Sequence, residues 1–195
     1  ERYEGRVRHL YLDKAGRVTV GVGRRVPSAA AMADVALYKH GFHGELAPAN
    51  AFEKRVEYDT LRHLPFGHVY SPAYYGEHTG LFMLDDDIDA LRDGQIRGVH
   101  AVLAGYYRPV NGFACSFDDM PDEVQLALFD MVFSLGMTRL RSQYILLNGY
   151  LKTERWKEAA QHCQRVGVSA SRNEYVRDLL VTAAFNPRSL TLRCI

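Results

Sequence analysis

Glu4, Asp13 and Thr19 follow one another at intervals of nine and six residues, within a stretch rich in glycine and valine. Two carboxyl groups and a hydroxyl are what an inverting glycoside hydrolysis requires. One carboxylic acid protonates the departing glycosidic oxygen, and the other carboxylate deprotonates a water on the opposite face of the ring. A hydroxyl can hold that water in line. In such a reaction the carboxyl groups stand about 6.5–9.5 Å apart. Taken singly, the three residues also fit a plainer description: a charged residue near the chain start, a turn aspartate and a strand threonine.

The elements that must bring them together can be read locally. Val7 to Leu12 and Arg17 to Val22 flank the polar connector Asp13-Lys14-Ala15-Gly16, which predicts a β-hairpin. In the second run Val18, Val20 and Val22 alternate onto one face, leaving Thr19, Gly21 and Gly23 on the other. Asp13 would sit at the mouth of the hairpin, and Gly5 would let the chain turn sharply after Glu4. Tyr3, Val7, Leu10 and Tyr11 also fit a helical stripe, but the turn residues favour the hairpin.

Glu4-Gly5, then Asp13, Thr19 and Gly21-Val22-Gly23, closely resembles the signature of the phage T-even lysozyme family of muramidases. Phe117 to Gly136 resembles the central helix of that family's larger lobe, with Met131-Val132-Phe133 and Gly136 as the telling part. Arg155-Trp156-Lys157-Glu158-Ala159-Ala160 resembles its next helical signature, and Asp87-Ile88-Asp89-Ala90 its inter-lobe helix. The likeness covers about two-thirds of the chain in the family's order, and its motifs are specific in combination rather than singly.

The resemblance implies Glu4 as general acid, Asp13 as general base and Thr19 as the hydroxyl that positions water. It places Arg25, Phe133 and His162 against the glycan. Arg172 matches an arginine near the catalytic glutamate and is expected to pair with Glu4, while Gly21 and Gly23 support the hairpin. Three departures stand out: Arg24 replaces a histidine, Tyr3 replaces an acidic residue, and only three residues precede Glu4. Since the family's histidine pairs with an aspartate of the inter-lobe helix, Arg24 is expected to form an ion pair with Asp87. An arginine there keeps the cation and loses the titration.

The implied fold is α+β and lysozyme-like, with a small hairpin-bearing lobe over residues 1–84. An inter-lobe helix and a helical lobe follow over 85–195. The chain is some tens of residues longer than the phage enzyme between Gly23 and Met131, and an insertion between 38 and 80 accounts for the surplus. The implied activity is hydrolysis of the β-1,4 bond between N-acetylmuramic acid and N-acetylglucosamine, with no cofactor and no metal. Two other classes stay open: a lytic transglycosylase, which would leave Asp13 and Thr19 unexplained, and a non-catalytic cell-wall glycan-binding module.

Composition agrees with a globular protein of one two-lobed domain or two small ones: 195 residues, 47% of them hydrophobic. No run of eighteen apolar residues is present, so no membrane span is expected. The net charge of +1 hides an uneven spread. Arg2, Arg6, Arg8, Lys14, Arg17, Arg24 and Arg25 crowd the start, while Asp85, Asp86, Asp87, Asp89, Asp118, Asp119, Asp122 and Glu123 come later. A basic rim would suit an acidic polymer such as peptidoglycan, or would simply be a solvated face. No zinc-finger, aromatic RNA-binding or basic-helix pattern accompanies it, so nucleic acid is not an expected partner.

The absence of an initiator methionine suggests a domain cut from a longer protein. A bacteriolytic effector delivered by secretion, or a phage lysis protein, would act in the periplasm or cell wall of a target bacterium. The former setting would bring an immunity protein as partner, and the domain itself is expected to be a monomer. Cys115, Cys163 and Cys194 are too few and too scattered for a disulfide framework.

Along the rest of the chain, Pro27 to Leu37 predicts a capped helix ended by Tyr38 to Gly44. Residues 53 to 63 predict a short helix, and Leu64 to Gly80 a loop. From Asp85 onward the pattern is helical, with breaks near Tyr107, Gly136, Gly149 and Gly167. His40 and His43 have ligand-like spacing but no adjoining cysteine or second pair, so packing or surface roles are expected. Asp85-Asp86-Asp87 lacks the alternation and glycine of a calcium loop and better suits a helix start. Gly21-Val22-Gly23 is no nucleotide fingerprint; it admits a close backbone approach or a bulge.

Overall fold

A computed structural model describes residues 5–185, so Glu4 and Cys194 lie outside the described residues. The chain is α+β, with small antiparallel sheets followed by helices. It divides into two compact units that meet between Gln95 and Ile96.

In the first unit, β1 (Val7–Leu12), β2 (Val18–Gly21) and β3 (Arg24–Arg25) form a three-stranded antiparallel sheet in sequence order. The expected hairpin is therefore present, extended by a third strand that two arginines gave no reason to expect. Tyr11 pairs with Thr19 and Leu12 with Val18, whereas Val7 pairs with Gly21, so β1 carries an irregularity between Val7 and Tyr11. Leu10 and Val20 are fully buried, and Val18, Val22, Val26, Met32 and Leu37 pack in the same core. Each such side chain stabilises the fold by about 1.5–3 kcal/mol relative to exposure.

The central strand is covered on both faces. Thr19 turns away from Val18 and Val20 as the alternation predicts, yet only 3% of it is exposed. One reason is visible at Gly21, where an added Cβ would lie 2.7 Å from Leu91 Cδ2. Gly21 also has φ +65° and Gly23 φ +86°, so both glycines of the motif are needed by the backbone that turns β2 into β3. Gly21→Ala combines a left-handed strain with a collision. It is expected to destabilise the chain by about 1–3 kcal/mol in urea unfolding. A loss below about 0.5 kcal/mol would show that Leu91 gives way freely.

The segment from Pro27 to Leu37 corrects the helix expected there. Only Ala30–Asp34 winds, as a single 3₁₀ stretch, and Val35 is extended at φ −101°, ψ 118°. Met32, Val35 and Leu37 are each 1% exposed. A continued helix could not turn residues at that spacing into one core, so burial overrides local propensity. The next residues form a hairpin rather than a helix end: β4 (Tyr38–His40) pairs with β5 (Leu46–Pro48). The helix expected at 53–63 starts two residues earlier, as α1 (Ala51–Leu61). There the Asn50 side chain accepts from the Glu53 N–H and Glu53 accepts from the Asn50 N–H, a reciprocal cap that fixes the start. A short α2 (Pro72–Gly76) interrupts the expected loop.

The long α3 (Asp85–Tyr106) begins in the first unit with three aspartates, which favourably face the positive end of its dipole. In the second unit, α4 (Asp122–Leu135) and α8 (Ala170–Phe185) pack with α5 (Met137–Gln143), α6 (Ile145–Leu151) and α7 (Trp156–Ala159) around Leu128, Met131, Leu147 and Val176. Gly136 at φ +77° separates α4 from α5 as expected, but Gly149 lies inside α6 rather than at a break. The buried Tyr107 hydroxyl donates to Asn148 Oδ1, and the Asn148 amide donates to the carbonyls of Leu140 and Tyr144. Every polar group of that pair is thereby satisfied. Cys115 and Cys163 are buried thiols of this unit. No described helix is long and apolar enough to cross a membrane.

Candidate functional site

The connector after β1 is organised by Asp13. Its N–H donates to the Arg17 carbonyl, and its own carbonyl accepts from Gly16, whose φ of +74° closes the turn. The carboxylate then reaches back into the same turn. Oδ1 accepts from the N–H groups of Ala15 at 2.9 Å and Arg17 at 3.0 Å, and Oδ2 accepts from Arg17 Nε at 2.7 Å. Asparagine and aspartate favour turns for this reason.

Sheet register brings the other residues alongside. Thr19 stands opposite Arg25 in the β2–β3 pair, and Arg25 Nε lies 4.0 Å from Asp13 Oδ2. The Thr19 hydroxyl donates to the Arg17 carbonyl at 2.9 Å, the carbonyl that also accepts from the Asp13 N–H. Asp13, Thr19 and Arg25 thus share one small region, with Arg17 at its centre. Arg17 was not singled out from sequence. The signal available was an Asp and an Arg bracketing the three residues Lys14-Ala15-Gly16 of a hairpin connector, where the strands must return side by side.

Partial burial pushes the Asp13 carboxyl upward, but the hydrogen bonds from the Arg17 backbone, the Arg17 side chain and the Ala15 backbone outweigh it. The balance holds the group below the usual carboxylate range. Asp13 is therefore ionised throughout the neutral range and fit to accept a proton, though as a weak base. Because its folded pKa is depressed, its contribution to stability is present above the unfolded value of about 3.9 and is lost as pH falls through the folded value. Arg17→Met is expected to raise the Asp13 titration midpoint and shift the onset of acid unfolding upward, as followed by carboxyl carbon NMR. An unchanged midpoint would show that the backbone donors alone set it.

The ion pair expected between Arg24 and Asp87 is not formed. Arg24 Nη1 approaches the carbonyl of Asp34 at 3.5 Å, while Asp87 accepts a hydrogen bond from the Tyr38 hydroxyl and raises that phenol's pKa. The start of α3 is instead held by Arg6 and Arg8. Arg6 bonds Asp89 Oδ1 at 2.7 Å and Asp85 Oδ1 at 3.2 Å, and Arg8 pairs with Asp85. The Arg8 hydrogen bond, and that of Arg6 after it, hold the Asp85 carboxyl below its usual range. Part of the basic rim expected from composition is therefore neutralised by the acidic cluster expected to cap the helix.

The remaining candidates belong to the second unit. Phe133 lies on α4 and is 38% exposed. The His162 ring stacks on Tyr150 with centroids 5.4 Å apart and planes 15° from parallel. Arg172 Nε bonds Asp130 Oδ1 at 2.9 Å. The pairing expected between Arg172 and Glu4 lies outside the described residues. Asp130 also binds Arg165, whose side chain is wholly buried. Among the described residues no group of three His, Cys, Asp or Glu side chains gathers to hold a metal ion. His40 packs on Phe82 and His43 edges against Phe42.

No protein-family model matches the chain, and no curated protein is found similar to it.

Proposed function

We propose that this protein is a peptidoglycan muramidase that hydrolyses the β-1,4 bond between N-acetylmuramic acid and N-acetylglucosamine with inversion. On this reading the α+β chain is lysozyme-like, Glu4 is the acid, Asp13 the base and Thr19 the water-positioning hydroxyl. The observation that carries it is the hairpin itself: an ionised Asp13 at the mouth of the β1–β2 turn, with Thr19 brought to the neighbouring strand position beside Arg25. A base, a hydroxyl and a cation so placed match the water-activating half of an inverting site. Arg25, Phe133 and His162 would contact the glycan. Delivery to a target cell wall, with an immunity protein as partner, belongs to the same reading.

One observation favours a second reading, a glycan-binding module without catalysis. Both Asp13 oxygens are already engaged within their own turn, and Thr19 is buried with its hydroxyl proton given to the Arg17 carbonyl. Mass spectrometry of purified peptidoglycan after incubation with the full chain separates the readings. Reducing-end muropeptides that disappear with Glu4→Gln support the muramidase, and 1,6-anhydro products would replace it with a transglycosylase. Wall binding with no product would leave the binding module.

A further inference from the structure

Within the first unit, next to the Asp13 turn, an open depression of about 640 Å³ is lined by Gly16, Arg17, Arg25, Ser28, Tyr58 and Arg62 over a floor that includes Val18, Val26 and Pro27. None of its lining residues is acidic. Of the three guanidinium groups, Arg17 is committed to Asp13 and Arg25 reaches the same carboxylate only at 4.0 Å. Arg62, at the end of α1, donates its backbone N–H to the Tyr58 carbonyl, but its guanidinium makes no hydrogen bond or ion pair among the described residues. Three cations thus face the space with one carboxylate to balance them, and the surplus is positive. A concave, partly apolar surface focuses such a field and favours an anionic ligand. The guanidinium fork suits a carboxylate, and a space of this size suits a small organic molecule rather than a lone ion.

We propose that this depression is a carboxylate-binding subsite for a short peptide, which on the muramidase reading is the stem peptide of the substrate. The apolar floor takes small aliphatic side chains, while Arg62 and Arg25 take the carboxylates. Because Arg17 and Arg25 also face Asp13, a bound carboxylate competes for the cations that hold the base. Substrate carrying its peptide would then meet an Asp13 less tightly held than in the free protein.

Isothermal titration of the full chain with three probes tests this: a sugar-free stem tetrapeptide, glycan strands stripped of peptide, and inorganic phosphate. The tetrapeptide is expected to bind wild type, about tenfold more weakly to Arg62→Gln and more weakly in high salt, while stripped glycan binds both proteins alike. Tetrapeptide affinity unchanged in both Arg62→Gln and Arg62→Ala would overturn the subsite. Phosphate binding as tightly as the peptide would also overturn it, leaving an unselective anion trap. A wild-type protein that binds the tetrapeptide yet releases no sugar ends would remove the muramidase reading and keep the subsite.

Discussion

Glu4→Gln is expected, on the muramidase proposal, to lower the rate of reducing-end release from peptidoglycan by at least about 100-fold, and Asp13→Asn to do likewise. The first change keeps the shape of the acid and removes its transferable proton. The second is informative because the structure separates its two consequences. An asparagine at 13 can still accept from the N–H groups of Ala15 and Arg17 through its amide oxygen, so the turn should survive. What is lost is the negative charge that Arg17 Nε approaches and the capacity to accept a proton. The partly exposed ion pair it gives up is worth only about 0–1 kcal/mol. Asp13→Asn should therefore unfold close to wild type while turnover collapses. Near wild-type turnover in this folded variant would make Asp13 a turn residue and end the muramidase assignment.

The hairpin was legible because its information is local. Asp13 to Gly16 spells a turn, and Val18, Val20 and Val22 spell the buried face of the strand that follows. β3, β4 and β5 were illegible for the opposite reason. They are two or three residues long, and Arg24, Arg25, Lys39 and His40 carry no apolar alternation, so backbone pairing makes them, β3 with β2 and β4 with β5. The Arg24–Asp87 error has a similar origin. The resemblance placed one cation opposite one carboxylate but could not show that Tyr38 engages Asp87 while Arg6 and Arg8 hold Asp85 and Asp89. In the second unit the helices were legible from their period, whereas the ion cluster that ties α4 to α8 joins residues 35 and 42 positions apart. No pattern within a helix reports a pairing at that range.

That cluster should be the most costly place in the second unit to remove one charge, with Asp130→Ala expected to destabilise the chain by about 3–5 kcal/mol in urea unfolding. Arg165 has a side-chain exposure of 0%, and its Nη1 bonds Asp130 Oδ2 at 2.6 Å. Its remaining partners are neutral: the hydroxyl of Ser134, the amide oxygen of Asn173 and the carbonyls of Asp130 and Arg172. They satisfy its geometry but cannot neutralise its charge. With the carboxylate gone, a wholly buried cation loses the counter-ion it bonds, with the Arg172 guanidinium that shared it still nearby. Asp130→Asn should cost less, since the amide oxygen can still accept from a guanidinium. The decisive comparison is the double variant Asp130→Ala, Arg165→Met. If the penalty comes from the stranded cation rather than from lost packing, removing both partners should recover much of the stability, as replacement of a buried pair by apolar groups commonly does. A double variant no more stable than Asp130→Ala alone would assign the cost to packing between α4 and α8 instead.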